Sequence, residues 1–296
     1  MKVAIGPSSF ATADITPLQI LREKGYQVIE NPYHRKLTEE EIIHHLHDVT
    51  GLIAGLEILN EKVFNSCPKL KVIARVGIGM DNIDLKAAKK KRIHVSNTPE
   101  APTAAVTEMV IAALLTICRG LVQANAEMHE EKWNKFIGIS INSLRILVIG
   151  NGRIGKKVKE ILSQLGSDVK TYDPNVDSDF SSLEKALSWA EVISLHASGN
   201  NEIIGTNEIN KMNDGVILLN SARGNLINEE ALYNALKCKK IKACWMDVFP
   251  TEPYSGKLTK CKNVLMTPHI STYTKQCRLL MEKQAVMNLI RDLAYV

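Results

Sequence analysis

The chain has 296 residues, of which 45% are hydrophobic and 23% charged, with a formal net charge of +5. This length favours two domains, and so small a basic excess argues against a nucleic-acid-binding protein. The six cysteines form no C-x-x-C pair and the N-terminus carries no signal-peptide pattern, so we expect a reduced, cytoplasmic protein. The longest apolar run, MVIAALLTIC, is too short to cross a bilayer and predicts no membrane association.

The first hundred residues alternate predicted strands with predicted helices. The strands are KVAIG, YQVIE, GLIAG, KVIARVG and IHVSN. In the first helix Thr16 is predicted as the N-cap and Pro17 as the first helical residue. Thr38 and Glu41 have the spacing of a capping box at the start of the second helix. Strands separated by helices in this way predict a parallel sheet.

A long helical pattern follows, from Thr98 to Trp133, and its middle is almost wholly apolar. Such a helix is buried against other protein, so we expect it at a domain junction and at a subunit interface. The alternation of strands and helices then restarts at RILVIG and continues to NVLMTPH. The tail, from about Thr272 to Val296, is predicted to be one helix that packs on the first domain.

The stretch GNGRIG, Gly150 to Gly155, follows the strand RILVI and opens a predicted helix. Gly150 allows the tight turn, Gly152 lets backbone N–H groups approach a pyrophosphate, and Gly155 lets the helix pack close to the sheet. The next strand ends at Asp173, whose carboxylate suits ribose hydroxyls and repels a 2′-phosphate. The motif in this context predicts a dinucleotide site that takes NAD rather than NADP.

Together these patterns predict an α/β fold with two doubly wound parallel-sheet lobes. Residues 1–97 plus 271–296 are predicted to form a flavodoxin-like substrate-binding domain, and residues 98–270 a Rossmann NAD-binding domain inserted into it. We expect the active site in the cleft between the lobes, because ligands of such sheets bind beyond the carboxyl ends of the strands.

Three successive strands of the second predicted domain lead to Arg223, Glu252 and His269. Arginine offers a planar fork that matches a carboxylate, and histidine can give and take a proton near neutral pH. A glutamate bonded to one ring nitrogen would fix the tautomer of the histidine and stabilise the imidazolium. With a bound nicotinamide, this set predicts hydride transfer to and from a 2-keto acid.

Several longer stretches follow one another along the chain: VGIGMDNID, NTPEAPTAAVTEMV, GNGRIG, NSARG, DVFPTEP and TPHI. Their order and spacing match those of a known family. On these the chain resembles the D-isomer-specific 2-hydroxyacid dehydrogenases, and within that family the phosphoglycerate dehydrogenases. The resemblance implies catalytic roles for Arg223, Glu252 and His269, and a substrate carboxylate bound by backbone N–H groups around Val76 and Gly77. It also implies a homodimer built around the long helix near Thr103 to Arg119.

The resemblance also supplies an expected cofactor-binding set. Besides the three glycines and Asp173, it comprises Arg153, Ile154, His196, Ala222 and Asp247. His196 follows an apolar strand, and we expect it to pack near the cofactor rather than to act in catalysis. The chain departs from the family where Ser271 and Tyr273 follow the histidine in place of small residues, and where LHASGNNEIIG alters the stretch around His196 and Ala197.

The expected substrate is 3-phosphoglycerate, or 3-phosphohydroxypyruvate in the reverse direction, a reaction of serine biosynthesis. In sequences of that type an arginine in the place of Arg75 approaches the substrate phosphate, and Lys135 is expected to assist from a neighbouring subunit. Because the sequence ends with the predicted tail helix, we expect a short form without a regulatory domain. The alternatives are another D-2-hydroxy acid, such as glycerate, lactate or a sugar-derived acid, or a non-catalytic protein that senses NAD(H).

Three histidines lie close together in HHLH, at His44, His45 and His47. Residues 44 and 47 share a helix face, but no third ligand accompanies them, so we expect a solvated helix face and no metal.

Overall fold

The computed structural model describes residues 1–295, and these divide into two compact units. The first unit comprises Met1–Pro102 together with the segment that begins at Tyr273, and the second comprises Thr103–Thr272. The division therefore falls after Pro102 and Thr272, whereas the sequence predicted it after Asn97 and Ile270. That the first unit binds substrate and the second NAD stays a prediction at this point.

The first unit is built on a five-stranded parallel sheet in the order β2-β1-β3-β4-β5. This is the flavodoxin-like strand order, with helices between successive strands. Its strands are β1 Lys2–Ile5, β2 Gln27–Ile29, β3 Gly51–Ala54, β4 Val72–Arg75 and β5 His94–Ser96. Its helices are α1 Thr16–Glu23, α2 Glu39–His45, α3 Glu61–Ser66, α4 Leu85–Lys90 and α11 Lys275–Leu293.

The second unit is built on a six-stranded parallel sheet in the order β11-β10-β9-β8-β6-β7. Its strands are β6 Arg145–Ile149, β7 Asp168–Tyr172, β8 Val192–Leu195, β9 Val216–Asn220, β10 Ile241–Met246 and β11 Val264–Met266. Its helices are α5 Pro102–Arg119, which starts one residue before the unit, α6 Leu121–His129, α7 Arg153–Gln164, α8 Leu183–Trp189, α9 Thr206–Lys211 and α10 Glu229–Lys237.

The chain reverses direction across this second sheet next to β6. It passes from β6 to β7 on one side, makes a single parallel bridge from Tyr172 to Phe180 at that edge, and then crosses to β8 on the other side. With the bridge counted as a short strand, the order is that of the classic dinucleotide-binding fold. Ligands of such sheets bind at this switch point, beyond the carboxyl ends of the strands.

The starts of the first two helices differ in how well the sequence predicted them. The capping box of α2 is present, with Thr38 and Glu41 bonded reciprocally. Helix α1, by contrast, begins at Thr16 itself, so the prediction of Thr16 as N-cap is wrong. The N-cap is Ile15, which makes no side-chain capping bond, and the Thr16 N–H donates instead to the carboxylate of Asp14 at 2.8 Å.

The single long helix predicted from Thr98 to Trp133 is in fact two helices, α5 and α6. Gly120 separates them with a φ of +60°, a left-handed conformation that ends α5. The 18 residues of α5 are apolar enough to span a membrane by length and composition, but a core helix passes the same test. Val110 and Leu114 are fully buried against the second sheet, as expected of a core helix.

The HHLH stretch is not a uniformly solvated face. His45 is buried, and its Nε2 lies 3.0 Å from the carbonyl oxygen of Ile5, whereas His44 and His47 are exposed. The solvated face predicted for residues 44 and 47 is therefore confirmed, whereas His45 lies on the buried side of α2 with its ring near the end of β1.

The tail helix packs within the first unit, as the sequence predicted. Helix α11 begins after Thr274, whose side chain accepts a hydrogen bond from the Cys277 N–H, and it lies against β3, β4 and α1. Its buried apolar residues include Met281, Ala285 and Leu289. The N-terminal strands and the C-terminal helix thus share one core, although most of the chain separates them.

Candidate active site and dinucleotide site

The glycine turn lies between β6 and α7, at the switch point of the second sheet. Gly150 has a φ of +99°, and a Cβ there would come within 2.6 Å of the backbone of His196 and Ala197, which follow β8. A Cβ at Gly155 would meet the Gly150 carbonyl oxygen at 1.9 Å. Both positions therefore require glycine, the first for the turn and the second for the close approach of helix to turn.

Gly152 differs from its two neighbours, because a Cβ there would meet nothing within 4 Å. It is the N-cap of α7, a helix of 12 residues, so the first backbone N–H groups of that helix face this open space. Partial positive charge at a helix N-terminus next to open space suits an anionic group such as a pyrophosphate. Arg153 and Ile154, both in the expected cofactor-binding set, form the start of this helix.

Asp173 directly follows β7 and its carboxylate is tied to the glycine turn. One oxygen accepts the N–H of Asn151 at 2.8 Å, and the other accepts the N–H of Asn175 at 2.9 Å. A carboxylate has about four lone-pair sites, so two bonds orient the group and leave acceptors for ribose hydroxyls. The glycine turn therefore fits the pyrophosphate of NAD, and Asp173 fits its adenosine ribose.

His196 lies at the end of β8, beside Gly150. Its Nε2 is 2.8 Å from the Ser194 hydroxyl, and burial lowers the pKa of its imidazole to about 4. A histidine with so low a pKa is neutral at physiological pH, since the charged form is poorly solvated there. This supports the predicted packing role over an acid–base role.

His269 and Glu252 form a hydrogen-bonded pair in the second unit. The Nδ1 of His269 is 2.9 Å from Oε2 of Glu252, and the other carboxylate oxygen accepts the Phe249 N–H at 3.0 Å. Their side chains are 38% and 31% exposed. Because Glu252 occupies Nδ1, the remaining ring nitrogen, Nε2, is the one that can exchange a proton with a ligand.

The backbone around His269 is held by a buried carboxylate, Asp247. His269 has a φ of +54°, in the left-handed region that few residues other than glycine adopt. Asp247 is fully buried at the end of β10 and accepts four hydrogen bonds. Their donors are Thr267 Oγ1, the Ile270 N–H, the Ser271 N–H and Ser271 Oγ, at distances of 2.5, 2.9, 2.9 and 2.5 Å. Asp247 was predicted as a cofactor residue, whereas its carboxylate here fixes the loop that carries His269.

Arg223 lies in the turn after β9, the strand next to β10. The adjacent Gly224 packs so tightly that a Cβ there would be 2.0 Å from the backbone of Phe249, the residue that holds Glu252. Asn220 shapes the turn by donating to the Arg223 carbonyl and accepting the Ala222 N–H. The loop of Arg223 is therefore anchored against the loop of Glu252, as expected for strands whose carboxyl ends are neighbours.

In the first unit Arg75 ends β4 and is almost fully buried, at 8% exposure. The two residues after it form the turn that was predicted to bind a substrate carboxylate. The Val76 N–H already donates to the Ala54 carbonyl, and the Gly77 N–H donates to Thr98 Oγ1 at 2.8 Å. A carboxylate would have to displace Thr98 from Gly77 or bind further along the turn, so this role stays a prediction.

Comparison with known proteins gives the family. Residues 111–271 match the NAD binding domain of the D-isomer specific 2-hydroxyacid dehydrogenases. A D-3-phosphoglycerate dehydrogenase of Archaeoglobus fulgidus is 34% identical over 88% of this chain, which spans only 52% of that relative. A hydroxypyruvate reductase of Blautia hydrogenotrophica is also 34% identical, over 84% of each chain. The crystal structure of the TT0316 protein from Thermus thermophilus aligns with a TM-score of 0.90 and 29% identity, covering 100% of this chain and 97% of that one.

The chain belongs to the D-isomer specific 2-hydroxyacid dehydrogenase family. The predicted family, the fold of two doubly wound parallel sheets and NAD as the cofactor are thereby confirmed, and the family is one of oxidoreductases. The chain spans about half the length of the phosphoglycerate dehydrogenase relatives that it matches, at 52% and 51% for two of them.

The two departures from the family pattern after the histidine have different structural roles. Ser271 is buried, and its N–H and hydroxyl provide two of the four hydrogen bonds to the Asp247 carboxylate. Tyr273 is 53% exposed and belongs to the first unit, where the guanidinium of Arg278 lies 5.0 Å from the centre of its ring. Ser271 therefore supports the loop of the histidine. Lys135, predicted to assist from another subunit, is exposed.

One residue near Arg75 was missed by the sequence reasoning. Glu57 lies three residues past β3, the strand that pairs with β4, and its side chain is only 1% exposed. An acid placed directly after an apolar strand of the first sheet, in GLIAGLE, was the available signal.

Proposed function

We propose that this chain is an NAD-dependent dehydrogenase that interconverts a D-2-hydroxy acid and its 2-keto acid. The hydrogen bond from His269 to Glu252 carries this proposal, because it pairs a proton-exchanging ring with an acid in the unit that also has the NAD-binding turn. Family membership supports it independently.

In the direction of reduction, His269 is the proposed acid. Its Nε2 gives a proton to the carbonyl oxygen of the keto acid, and Glu252 stabilises the imidazolium before that transfer. NADH, when bound, supplies the hydride that adds to the carbonyl carbon. Hydride and proton together convert the ketone to an alcohol. Arg223 is proposed to bind the substrate carboxylate, for which its planar guanidinium offers two parallel donors.

The first candidate substrate is the pair 3-phosphoglycerate and 3-phosphohydroxypyruvate. It is supported by the arginine at the end of β4 and by the similarity to phosphoglycerate dehydrogenases. In this proposal Arg75 meets the phosphate, with Val76 and Gly77 beside the carboxylate, and the reaction is the serine-biosynthesis type.

The second candidate is an unphosphorylated acid such as hydroxypyruvate or glycerate. It is favoured by the buried Glu57 close to Arg75, since a carboxylate there offsets the positive charge that a phosphate would need. The similarity to a hydroxypyruvate reductase over most of both chains points the same way.

The direct test is NADH oxidation by the purified protein with a panel of 2-keto acids that includes hydroxypyruvate, 3-phosphohydroxypyruvate, pyruvate and glyoxylate. Turnover of any of them, lost on replacement of His269, would support the dehydrogenase. Tight NADH binding without turnover of the panel would instead favour the alternative of a protein that senses NAD(H).

The cofactor preference has its own test at Asp173. We expect turnover with NADH to exceed that with NADPH, because the carboxylate next to the glycine turn repels a 2′-phosphate. Asp173→Ala should lower the ratio of the two kcat/KM values by about tenfold or more. Asp168→Ala, at the opposite end of β7, is the matched control and should leave the ratio unchanged.

We also propose a homodimer, as the family resemblance implied. The support is a group of exposed apolar side chains on α6 and the segment after it: Leu121, Val122, Met128, Trp133 and Ile137. These lie beyond the predicted interface at residues 103–119. Sedimentation velocity should give a dimer that dissociates in the double variant Trp133→Ser/Ile137→Ser, whereas Val176→Ser, an exposed apolar residue elsewhere, should have no effect.

A further inference from the structure

Glu57 occupies a gap that glycines create at the carboxyl end of the first sheet. Its Oε1 accepts the Gly55 N–H at 2.8 Å. A Cβ at Gly6, after β1, would be 2.1 Å from that same oxygen, and a Cβ at Gly55, after β3, would be 2.9 Å from Oε2. The carboxylate therefore fits only because both neighbours lack side chains. Such a built position for a buried acid indicates a function, since burying a charge is costly.

Arg75 is a cation near this carboxyl group, at the end of the adjacent strand β4. It pairs with Ala54 across β3 and β4, and its positive charge favours the ionised form of Glu57. Burial acts in the opposite direction and raises the pKa of Glu57. The guanidinium also lies against the turn, because a Cβ at Gly77 would be 2.7 Å from Nη1. Lys36 contributes a weaker attraction and is exposed.

We propose that Glu57 is a specificity-determining residue, whose buried carboxyl group near Arg75 selects a substrate with an uncharged tail over one with a phosphorylated tail. This inference rests on the proposed function, because it takes Arg75 as the residue that meets the tail of the substrate.

The selection follows from competition for one cation. A phosphate ester carries a charge of about −1.5 to −2 at pH 7. If it bound Arg75, Glu57 would either remain as a second anion beside it or take up a proton, and both cost binding free energy. An uncharged tail, such as the hydroxymethyl group of hydroxypyruvate, leaves the pair of Glu57 and Arg75 intact.

The test compares two keto acids that differ only in the phosphoryl group, hydroxypyruvate and 3-phosphohydroxypyruvate. We expect wild-type protein to have the larger kcat/KM with hydroxypyruvate. In Glu57→Gln the ratio of kcat/KM for the phosphorylated acid to that for hydroxypyruvate should rise by at least about tenfold, mainly through KM. Glutamine keeps the shape and one acceptor for the Gly55 N–H. Glu40→Gln, on the exposed face of α2, makes the same charge change and should leave the ratio unchanged.

An unchanged or lower ratio in folded Glu57→Gln protein, as judged by circular dichroism, would overturn the inference. If that variant does not fold, the wild-type ratio decides alone: a preference for the phosphorylated acid contradicts the inference and the reverse supports it. If wild-type protein turns over neither acid, turnover of pyruvate or glyoxylate decides whether the proposed dehydrogenase stands. Calorimetric binding of the two acids to the NADH complexes of wild-type and Glu57→Gln protein then decides the role of Glu57, because it needs no turnover.

Discussion

Two glutamates stand at the carboxyl ends of the two sheets, each next to a basic side chain, and their surroundings differ. Glu252 in the second unit is 31% exposed and is bonded to His269, whose side chain is 38% exposed. Glu57 in the first unit is 1% exposed and close to Arg75, which is 8% exposed. A partly exposed pair is accessible to a ligand with which it can exchange a proton, whereas a buried carboxyl group such as Glu57 is screened little by solvent. The two surroundings therefore suit the two proposed roles, proton exchange at His269 and selection of the substrate at Glu57.

The residues that support the two glutamates also differ. Asp247 accepts four hydrogen bonds and holds the loop of His269, a residue with a positive φ. Behind Glu57 are Gly6 and Gly55, which provide space rather than bonds. The first arrangement holds the side chain proposed to move a proton, and the second leaves room for the carboxyl group proposed to select the substrate.

The largest effect should come from His269→Gln. If Nε2 of His269 is the acid, its removal should lower kcat by about 10²–10⁴ with little change in stability. Steady-state NADH oxidation with the best keto acid of the panel measures this. The control is His129→Gln at the exposed end of α6, which should keep wild-type rates. If kcat of His269→Gln fell by less than tenfold, His269 would not be the proton donor. The proposed difference in role between Glu252 and Glu57 would then be lost.

Asp247→Asn should weaken the hydrogen bonds that hold the loop of His269, and affect catalysis only through that loop. The new amide NH₂ group would face N–H and O–H donors, so we expect the free energy of unfolding to fall by about 2–5 kcal/mol and kcat to fall with it. All three tryptophans, Trp133, Trp189 and Trp245, lie in the second unit, so urea unfolding followed by tryptophan fluorescence reports on that unit alone.

Ser271→Ala tests the same hydrogen-bond network as Asp247→Asn, with a smaller expected loss of stability. It removes one of the four hydrogen bonds and should cost only about 1 kcal/mol. Equal stability losses in the two variants would show that the buried carboxylate is not the organising group of the loop.

The sequence foretold the strands, the glycine turn and the pairing of His269 with Glu252, because each rests on a local pattern or on neighbouring strand ends. It did not foretell Gly120 as a helix break, because a glycine within an apolar pattern is compatible with either outcome. The four hydrogen bonds to Asp247 and the contact of Glu57 with Gly6 could not be predicted, for a different reason. Both depend on which backbone groups meet across strands, and residues such as Gly6 and Glu57 lie far apart in the sequence.

The lowered pKa of His196, which follows the interior strand β8, can be tested by the pH dependence of stability. Its pKa is about 4 in the folded protein and 6.5 ordinarily, so between these values the unfolded chain binds more protons. Stability should therefore fall as pH drops from about 6.5 to about 4, by on the order of 2–3 kcal/mol. His196→Gln should lack this loss, as measured by urea unfolding with tryptophan fluorescence at several pH values. Parallel curves for variant and wild type would mean that the ring is solvated.

The smallest effect should come from the pH dependence of stability at Glu57, and its sign sharpens the comparison. Burial raises the pKa of Glu57 in the folded state, so the folded protein holds this proton more tightly than the unfolded chain does. The stabilisation is complete below the ordinary pKa of 4.5 and is lost as pH rises through the raised folded value. Glu57→Gln does not titrate, and should therefore gain stability relative to wild type as pH rises from 4.5. Hydrogen exchange of peptides from β3 and β4 reports on this locally, with Glu40→Gln as control. The opposite slope would mean that attraction to Arg75 outweighs burial, and would make Glu57 a stronger competitor for that arginine.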